Sequence, residues 1–293
     1  MIQFKNINKS YDDKVVLENI NWNLTKGHVY GLVGPNGSGK STLLRLLSGV
    51  LKPTEGTVLI EDTDVFDNPE AKKKVFFLGD DPYFFNQSTI KDMKAFYKMF
   101  YKNFDENVYQ ELLKEFKLNE DVKINSFSKG MKRQVVVILA LASKPDVLLL
   151  DEAFDGLDPI MRFKLRQYIS QEISSREVIV VISSHNLREL EDICDTIVMI
   201  NKKQLKLNHE TSTSNEIYHK YQIVFEEAFD QALFDALTPL SVEGKDRIFT
   251  IVLKGNRQEI EKKLNNLNPM LIEHNPVSLE EIFIYEMRDQ DEK

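Results

Sequence analysis

Gly34-Pro35-Asn36-Gly37-Ser38-Gly39-Lys40-Ser41-Thr42 fits the pattern G-x-x-x-x-G-K-[S/T], and its flanks decide what kind of chain surrounds it. Before it, His28-Val29-Tyr30-Gly31-Leu32-Val33 reads as a short buried strand. After it, Thr42-Leu43-Leu44-Arg45-Leu46-Leu47 reads as the opening turns of a helix. The three glycines let the backbone curl so that successive N–H groups converge at a helix N-terminus, a cradle for anionic oxygens. Lys40 would place a cation on the β- and γ-phosphates, and the Ser41 hydroxyl would ligate Mg²⁺. A ligand-free glycine turn between strand and helix requires neither Lys40 nor Ser41. The stretch therefore points to a nucleoside triphosphate held in an α/β fold.

Composition sets the limits around this loop. At 293 residues the chain is long enough for about two domains. An apolar share of 42% and a charged share of 29% belong to a globular protein. The formal net charge is −8 and no basic stripe stands out, which argues against a nucleic-acid binder that works by neutralising phosphates. The single cysteine, Cys194, excludes an internal disulfide and suits a reducing cytoplasm. Met1-Ile2-Gln3-Phe4-Lys5 lacks the apolar core of a signal peptide. The longest apolar runs, 135–142 and 178–182, fall far short of the roughly 20 residues that cross a bilayer. A cytoplasmic location is expected, with any membrane role exerted through a partner.

Residues 2–7 and 15–24 read as β segments, followed by a turn at 49–56 and a strand at 57–61. From about 80 to 145 the pattern is mostly helical, with helices at 90–101, 108–116 and 131–142. A buried strand at 147–150, a helix at 159–174, a strand at 178–183, a helix at 187–193 and a strand at 196–200 complete the first 208 residues. Strands alternating with helices predict a mostly parallel sheet covered on both faces. The polar stretch 209–215 is the expected linker. Beyond it, 216–293 reads as a small α+β appendage, with strands at 221–225 and 247–253 and helices at 257–267 and 279–287.

The apolar run Val147-Leu148-Leu149-Leu150 ends in Asp151-Glu152. A carboxylate at the end of a buried strand can hold Mg²⁺ through water near Ser41, and Glu152 is placed to polarise an attacking water. The alternative is a carboxylate pair that caps the next helix. Ser128-Lys129-Gly130-Met131 opens a nearly all-apolar helix, where a hydroxyl, N–H groups and a positive dipole end would face an anion. Ala153-Phe154-Asp155-Gly156-Leu157-Asp158-Pro159 follows Glu152, and His185 follows another buried strand.

This set, in this order, resembles the ATP-binding-cassette (ABC) ATPases across about residues 1–208. The resemblance implies a P-loop fold with a mostly parallel core sheet, an N-terminal antiparallel β subdomain and a helical subdomain at about 80–145. It makes 34–42 the Walker A loop, Asp151 the Walker B aspartate, Glu152 the catalytic glutamate and 127–131 the signature. It also makes 155–158 the D-loop, His185 the switch histidine and Tyr11 the aromatic that stacks on adenine. Outside that set, a histidine after a strand or a tyrosine in a turn is most often a packing residue. The implied cofactors are ATP and Mg²⁺, and the implied activity is ATP hydrolysis. The implied partners are a second ABC subunit, identical or related, that completes each site head to tail, and integral membrane permease subunits.

Departures from the family pattern are informative. Lys129 stands at the first signature glycine and Met131 at the glutamine, but Ser128 and Gly130 are kept. Asp80-Asp81 stands where most members place a glutamine that touches Mg²⁺, so Asp80 is a further candidate metal ligand acting through water. These variants and the tail Ser278-Leu279-Glu280-Glu281-Ile282-Phe283 resemble ATPase subunits of ABC-2-type exporters, especially those that export peptides or antibiotics in Gram-positive bacteria. Tyr83-Phe84-Phe85, next to the acidic pair, is expected to receive a short cytoplasmic helix of the permease. The rival is a soluble ABC protein of translation or DNA repair; those carry two cassettes, a coiled coil or basic extensions, which this sequence lacks.

Overall fold

The computed structural model describes residues 1–210 and 217–288, apart from the side chains of 206–210 and 286–288. The chain divides into two compact units, Met1–Asn208 and His209–Lys293. In order, the first part comprises β1 (Ile2–Tyr11), β2 (Lys14–Leu24), β3 (His28–Val33), α1 (Lys40–Leu47), β4 (Glu55–Ile60) and β5 (Thr63–Asp64). Then come α2 (Pro69–Lys72), β6 (Val75–Leu78), α3 (Ile90–Phe100), α4 (Glu106–Glu115) and α5 (Lys129–Ala142). It closes with β7 (Val147–Asp151), α6 (Pro159–Arg176), β8 (Ile179–Ser184), α7 (Leu187–Glu191), β9 (Thr196–Asn201) and β10 (Gln204–Glu210).

Two sheets clasp α1. One is antiparallel in the order β2-β1-β4-β5; the other runs β10-β9-β3-β8-β7-β6, with β9, β3, β8, β7 and β6 parallel. β7 and β8 are buried along their whole length, as strands covered on both faces must be, and so read as unbroken apolar runs. Leu43, Leu44, Leu46 and Leu47 of α1 are all buried, in one cluster with Phe4, Ile7, Trp22 and Ile60 from one sheet and Leu149, Val181 and Ile200 from the other. Its four leucines bury against both sheets while Arg45 stays exposed, which holds the helix between them. That sandwich fixes the start of α1, and with it the glycine loop.

The α3–α5 region holds the expected helices, each started by a side-chain cap. Thr89 and Asp92 form a reciprocal capping box at α3, Asp105 caps α4 and Ser128 caps α5. Lys94 joins α3 to Glu106 and Glu120 at 2.9 and 3.3 Å and lies over the Tyr109 ring. β6 is new relative to the sequence reading: Val75-Phe76-Phe77-Leu78 has no alternation, and only parallel pairing with β7 identifies it as a strand.

The second unit contains β11 (Tyr218–Val224), a 3₁₀ turn (Gln231–Leu237), β12 (Ser241–Lys245), β13 (Ile248–Lys254), α8 (Arg257–Asn265), β14 (Leu271–Asn275) and α9 (Leu279–Arg288). Its antiparallel sheet runs β12-β13-β11-β14. Tyr221, Ile223, Phe249, Ile251, Phe234 and Ile260 form its core, placing α8 and the 3₁₀ turn on one face. Lys220 alternates with Tyr221 and pairs with Glu281 at 2.6 Å, so α9 lies on the opposite face. His219 and His274 sit 3.3 Å apart across β11 and β14; His219 Nε2–H donates to the Gly255 carbonyl. Of the linker expected at 209–215, His209 and Glu210 belong to β10, and 211–215 lie outside the described residues.

Candidate nucleotide site

Register alone assembles this site. Val33 of β3 pairs with Ser184 of β8, and Asp151 of β7 pairs with Ser183 of β8. The residues that follow, Gly34, His185 and Glu152, therefore leave the sheet along one edge, the carboxyl ends of parallel strands where open α/β sheets place ligands.

The loop is held from both sides. A Cβ on Gly34 would fall 2.6 Å from Ser38 Oγ and 2.7 Å from the Ile200 carbonyl, and one on Gly39 would lie 2.8 Å from Leu17. Gly37 and Gly39 take φ of 80° and 110°, the left-handed region that favours glycine, and Gly39 thereby starts α1 without a capping side chain. Pro35, Asn36 and Gly37 form the exposed crest of the loop; Ser41 and Thr42 are half-buried in the first turn of α1. Ser38 Oγ is buried without a hydrogen-bond partner, an orphaned hydroxyl within the glycine loop. That is what a phosphate oxygen would satisfy. Lys40 is buried; its ammonium donates to the Gly34 carbonyl at 2.8 Å and the Pro35 carbonyl at 3.4 Å, and lies 3.5 Å from Glu152 Oε1.

Asp151 is fully buried and accepts a 2.6 Å hydrogen bond from the Ser183 hydroxyl. Glu152 has φ +49°, and its N–H donates to the Ser183 carbonyl and hydroxyl. Its second carboxylate oxygen accepts from His185 Nδ1 at 3.0 Å and from the His185 N–H at 3.3 Å. The hydrogen bond and charge of Glu152 raise the His185 pKa above the ordinary imidazole value. Ligating atoms of Glu152, Asp155 and His185 all lie within 4.8 Å of one another. Lys40, Glu152, Asp155 and His185 thus converge from three segments: the glycine loop, the turn after β7 and the end of β8.

Ser41, Asp151 and Asp80 line one cleft of about 570 Å³. A hydroxyl and two carboxylates are hard oxygen donors, so the set fits Mg²⁺. Asp80 also pairs with Arg133 at 3.1 Å. The cleft continues over Phe77, Tyr83, Phe85, Phe96 and Tyr97. Tyr83 is 77% exposed, and Phe85 packs edge-on against Phe96 at 4.9 Å. Phe84 lines a neighbouring cavity with Asp81, Lys129 and Lys132.

Ser128 caps α5 by accepting from the Met131 N–H, and stays exposed. Gly130 lies against the 155–158 turn; a Cβ there would be 2.8 Å from the Gly156 carbonyl. Tyr11 ends β1 opposite Lys14, 42% exposed, with the Lys9 ammonium 5.0 Å from its ring centre. Among the described residues no hydrogen bond or ion pair joins Tyr11 or Ser128 to the Lys40–Glu152–His185 group. Two residues missed in the sequence have clear places here. Ser183 braces Asp151 and Glu152, and Arg133, 2% exposed, ties Asp80 to the Glu152 carbonyl.

Comparison with known proteins agrees with this geometry. Residues 17–155 match the ABC transporter family model. The chain is 33% identical over 230 residues to the lantibiotic transport ATP-binding protein SrtF of Streptococcus pyogenes, covering 77% of this chain and 99% of that protein. It is 28% identical over 284 residues to the ABC transporter ATP-binding protein YtrB of Bacillus subtilis (strain 168), covering 97% of each. A solved structure of an ATP-binding subunit of an ABC transporter superposes with a TM-score of 0.66 at 27% identity, over 72% of this chain and 90% of that one. With its glycine loop, buried Asp151 and Glu152–His185 pair at one sheet edge, the chain belongs to the ABC transporter ATP-binding proteins, a family of ATPases.

Proposed function

We propose that this chain hydrolyses ATP on the cytoplasmic face of a membrane to drive export through separate permease subunits. Two copies, or one copy and a related subunit, close head to tail. Residues 34–42 of one then face Ser128 and the Gly130 N–H of the other across the γ-phosphate, and Tyr11 stacks on adenine. The observation that carries the chemistry is the bracketing of Glu152 between Lys40 and His185. Glu152 takes the proton of the attacking water, His185 holds that carboxylate and donates toward the γ-phosphate, and Lys40 steadies phosphate charge. Ser41 and Asp151, with Asp80 at the cleft, would hold Mg²⁺, which neutralises charge on the phosphate oxygens when bound.

Among the described residues no helix is long and apolar enough to cross a membrane, so coupling to a permease needs a docking surface. The aromatic cleft beside Asp80 supports that role, with Tyr83 and Phe85 as apolar anchors for a permease helix. Export rather than import rests on the likeness to a lantibiotic transport protein.

Glu152→Gln should keep ATP affinity within about threefold, lose at least about 100-fold in turnover, and migrate as a dimer with ATP in gel filtration. Near-normal turnover removes Glu152 from the role of base. Pull-down of the tagged chain from membranes should recover an integral membrane permease; recovery of only ribosomal or DNA-repair proteins would overturn the transporter reading. Phe85→Glu should abolish that recovery, and unchanged recovery would clear the aromatic cleft of a docking role.

A further inference from the structure

Arg133 is among the largest fully buried side chains of the chain, on a helix whose other inward residues are aliphatic. A buried guanidinium needs partners for its donors, and three hydrogen bonds supply them here. One terminal nitrogen donates to the Gly79 carbonyl at 2.7 Å. The other donates to Asp80 Oδ1 at 3.1 Å and to the Glu152 carbonyl at 3.2 Å. Gly79 and Asp80 follow β6, at the cleft where the aromatic anchors lie, and Glu152 follows β7. A single rigid fork therefore joins the floor of that cleft to the backbone of the hydrolytic carboxylate.

The backbone it grips is strained: Glu152 holds φ +49°, uncommon for a residue with a side chain. Its N–H is fixed by Ser183 and its carbonyl by Arg133, with a further bond from the Asp155 N–H at 3.1 Å. Rotation of that peptide would swing the carboxylate away from Lys40 and His185. We propose that Arg133 is a positioning residue that transmits the placement of the Gly79–Asp80 turn to Glu152, so that movement at the aromatic cleft alters the hydrolytic geometry without touching the nucleotide. Asp80 then acts on turnover through Arg133. The proposal rests on the reading of Glu152 as the base, and Glu152→Gln in the same assay tests that reading separately.

The test uses the full chain with Arg133→Gln, Arg133→Lys, Asp80→Ala and the Arg133→Gln/Asp80→Ala double variant. It measures kcat and KM for MgATP, affinity for a fluorescent ATP analogue, and melting temperature. Misplacing a reacting group by about 1 Å costs on the order of 100-fold, so Arg133→Gln should lower kcat by about 10–100-fold with nucleotide affinity within about threefold. Arg133→Lys, which keeps the charge but not the fork, should recover part of the loss. Asp80→Ala should lower kcat, and by clearly less in the Arg133→Gln background than alone, the remainder being its part at the Mg²⁺ site.

Unchanged kcat in both Arg133 variants overturns the proposal. So does a parallel fall of kcat, nucleotide affinity and melting temperature with Lys no better than Gln, which marks a core residue only. Independent, multiplying losses in the double variant overturn the link through Asp80. If Arg133→Gln does not fold, the kcat and affinity of Arg133→Lys decide. Near-normal turnover of Glu152→Gln would instead refute the base reading itself.

Discussion

Ser183→Ala tests the least conspicuous support of the site. Ser183 lies in β8, fully buried and directly opposite Asp151. Its hydroxyl gives its proton to Asp151 at 2.6 Å, a short charge-assisted bond, and accepts the Glu152 N–H at 3.0 Å. Alanine removes both. The Glu152 N–H keeps the Ser183 carbonyl at 3.2 Å, so it is not orphaned; the main loss is the donor to a buried carboxylate. Hydrogen bonds to charged groups contribute about 1.5–3 kcal/mol. For a domain of this size each kcal/mol moves the melting temperature by about 2–4 °C, so a fall of about 3–12 °C is expected in differential scanning fluorimetry without nucleotide. With Asp151 as the proposed Mg²⁺ carboxylate, loss of the partner that orients it should weaken metal affinity by about 10–100-fold and raise the Mg²⁺ concentration for half-maximal ATPase by that factor. Ser184→Ala is the control: its hydroxyl, equally buried on the same strand, donates to Glu189 at 2.8 Å. It should lower melting temperature while leaving the Mg²⁺ requirement in place. A Ser183→Ala protein that melts within about 1 °C of wild type, with the same Mg²⁺ requirement, refutes the reasoning.

Gly130→Ala should retain ATP binding but lose about tenfold or more in turnover, because its Cβ would sit 2.8 Å from the Gly156 carbonyl and push the 155–158 turn from the Glu152–His185 pair. Wild-type turnover in steady-state ATPase assays would contradict that. His185 carries a raised pKa through its bond and charge contact with Glu152, so the stabilisation from that pair is full below the ordinary imidazole pKa near 6.5 and is lost as pH rises through the raised value. The melting-temperature gap between wild type and His185→Gln should therefore be larger at about pH 6 than at about pH 9. The ring is half-exposed, so the gap is small, and a gap that widens with pH would reverse the sign argued here.

What could be read from the sequence was whatever has a local physical signature. The glycine loop declares itself because left-handed backbone and an N-terminal lysine occur within one short segment. β7 and β8 do so because parallel strands covered on both faces must be apolar throughout. β6 has the same composition but is only four residues long, and four apolar residues have no measurable period. Arg133 has no local signature in the sequence. Its meaning comes from Gly79 and Glu152, 54 and 19 residues away, brought together by the pairing of β6 with β7. The same distance hid Ser183, whose partners lie 31 and 32 residues back. Asp80 was legible as a carboxylate at the cleft that Ser41 and Asp151 line, and its pairing with Arg133 was not.

The strain at Glu152 shows why these distant supports converge on one residue. Along an extended strand, successive side chains point to opposite faces, so Asp151 and Glu152 on an uninterrupted β7 could not serve the same ligand edge. The left-handed turn at Glu152 ends the alternation. Asp151 keeps the buried position beside Ser183, and Glu152 swings between Lys40 and His185. Leaving the favoured region costs about 1–2 kcal/mol for a residue with a Cβ, and glycine would avoid the cost but carries no carboxylate. The conformation has to be held from outside. Ser183 holds its N–H, Arg133 and the Asp155 N–H hold its carbonyl, and Lys40 and His185 hold its carboxylate. They come from four places, the glycine loop after β3, α5, the end of β8 and the turn after β7 itself, so the carboxylate is in place only when β3, β7 and β8, with α5 across them, are all in register. The placement of the proposed base is thereby made a property of the assembled sheet, and any motion that shifts one of these segments is felt at Glu152.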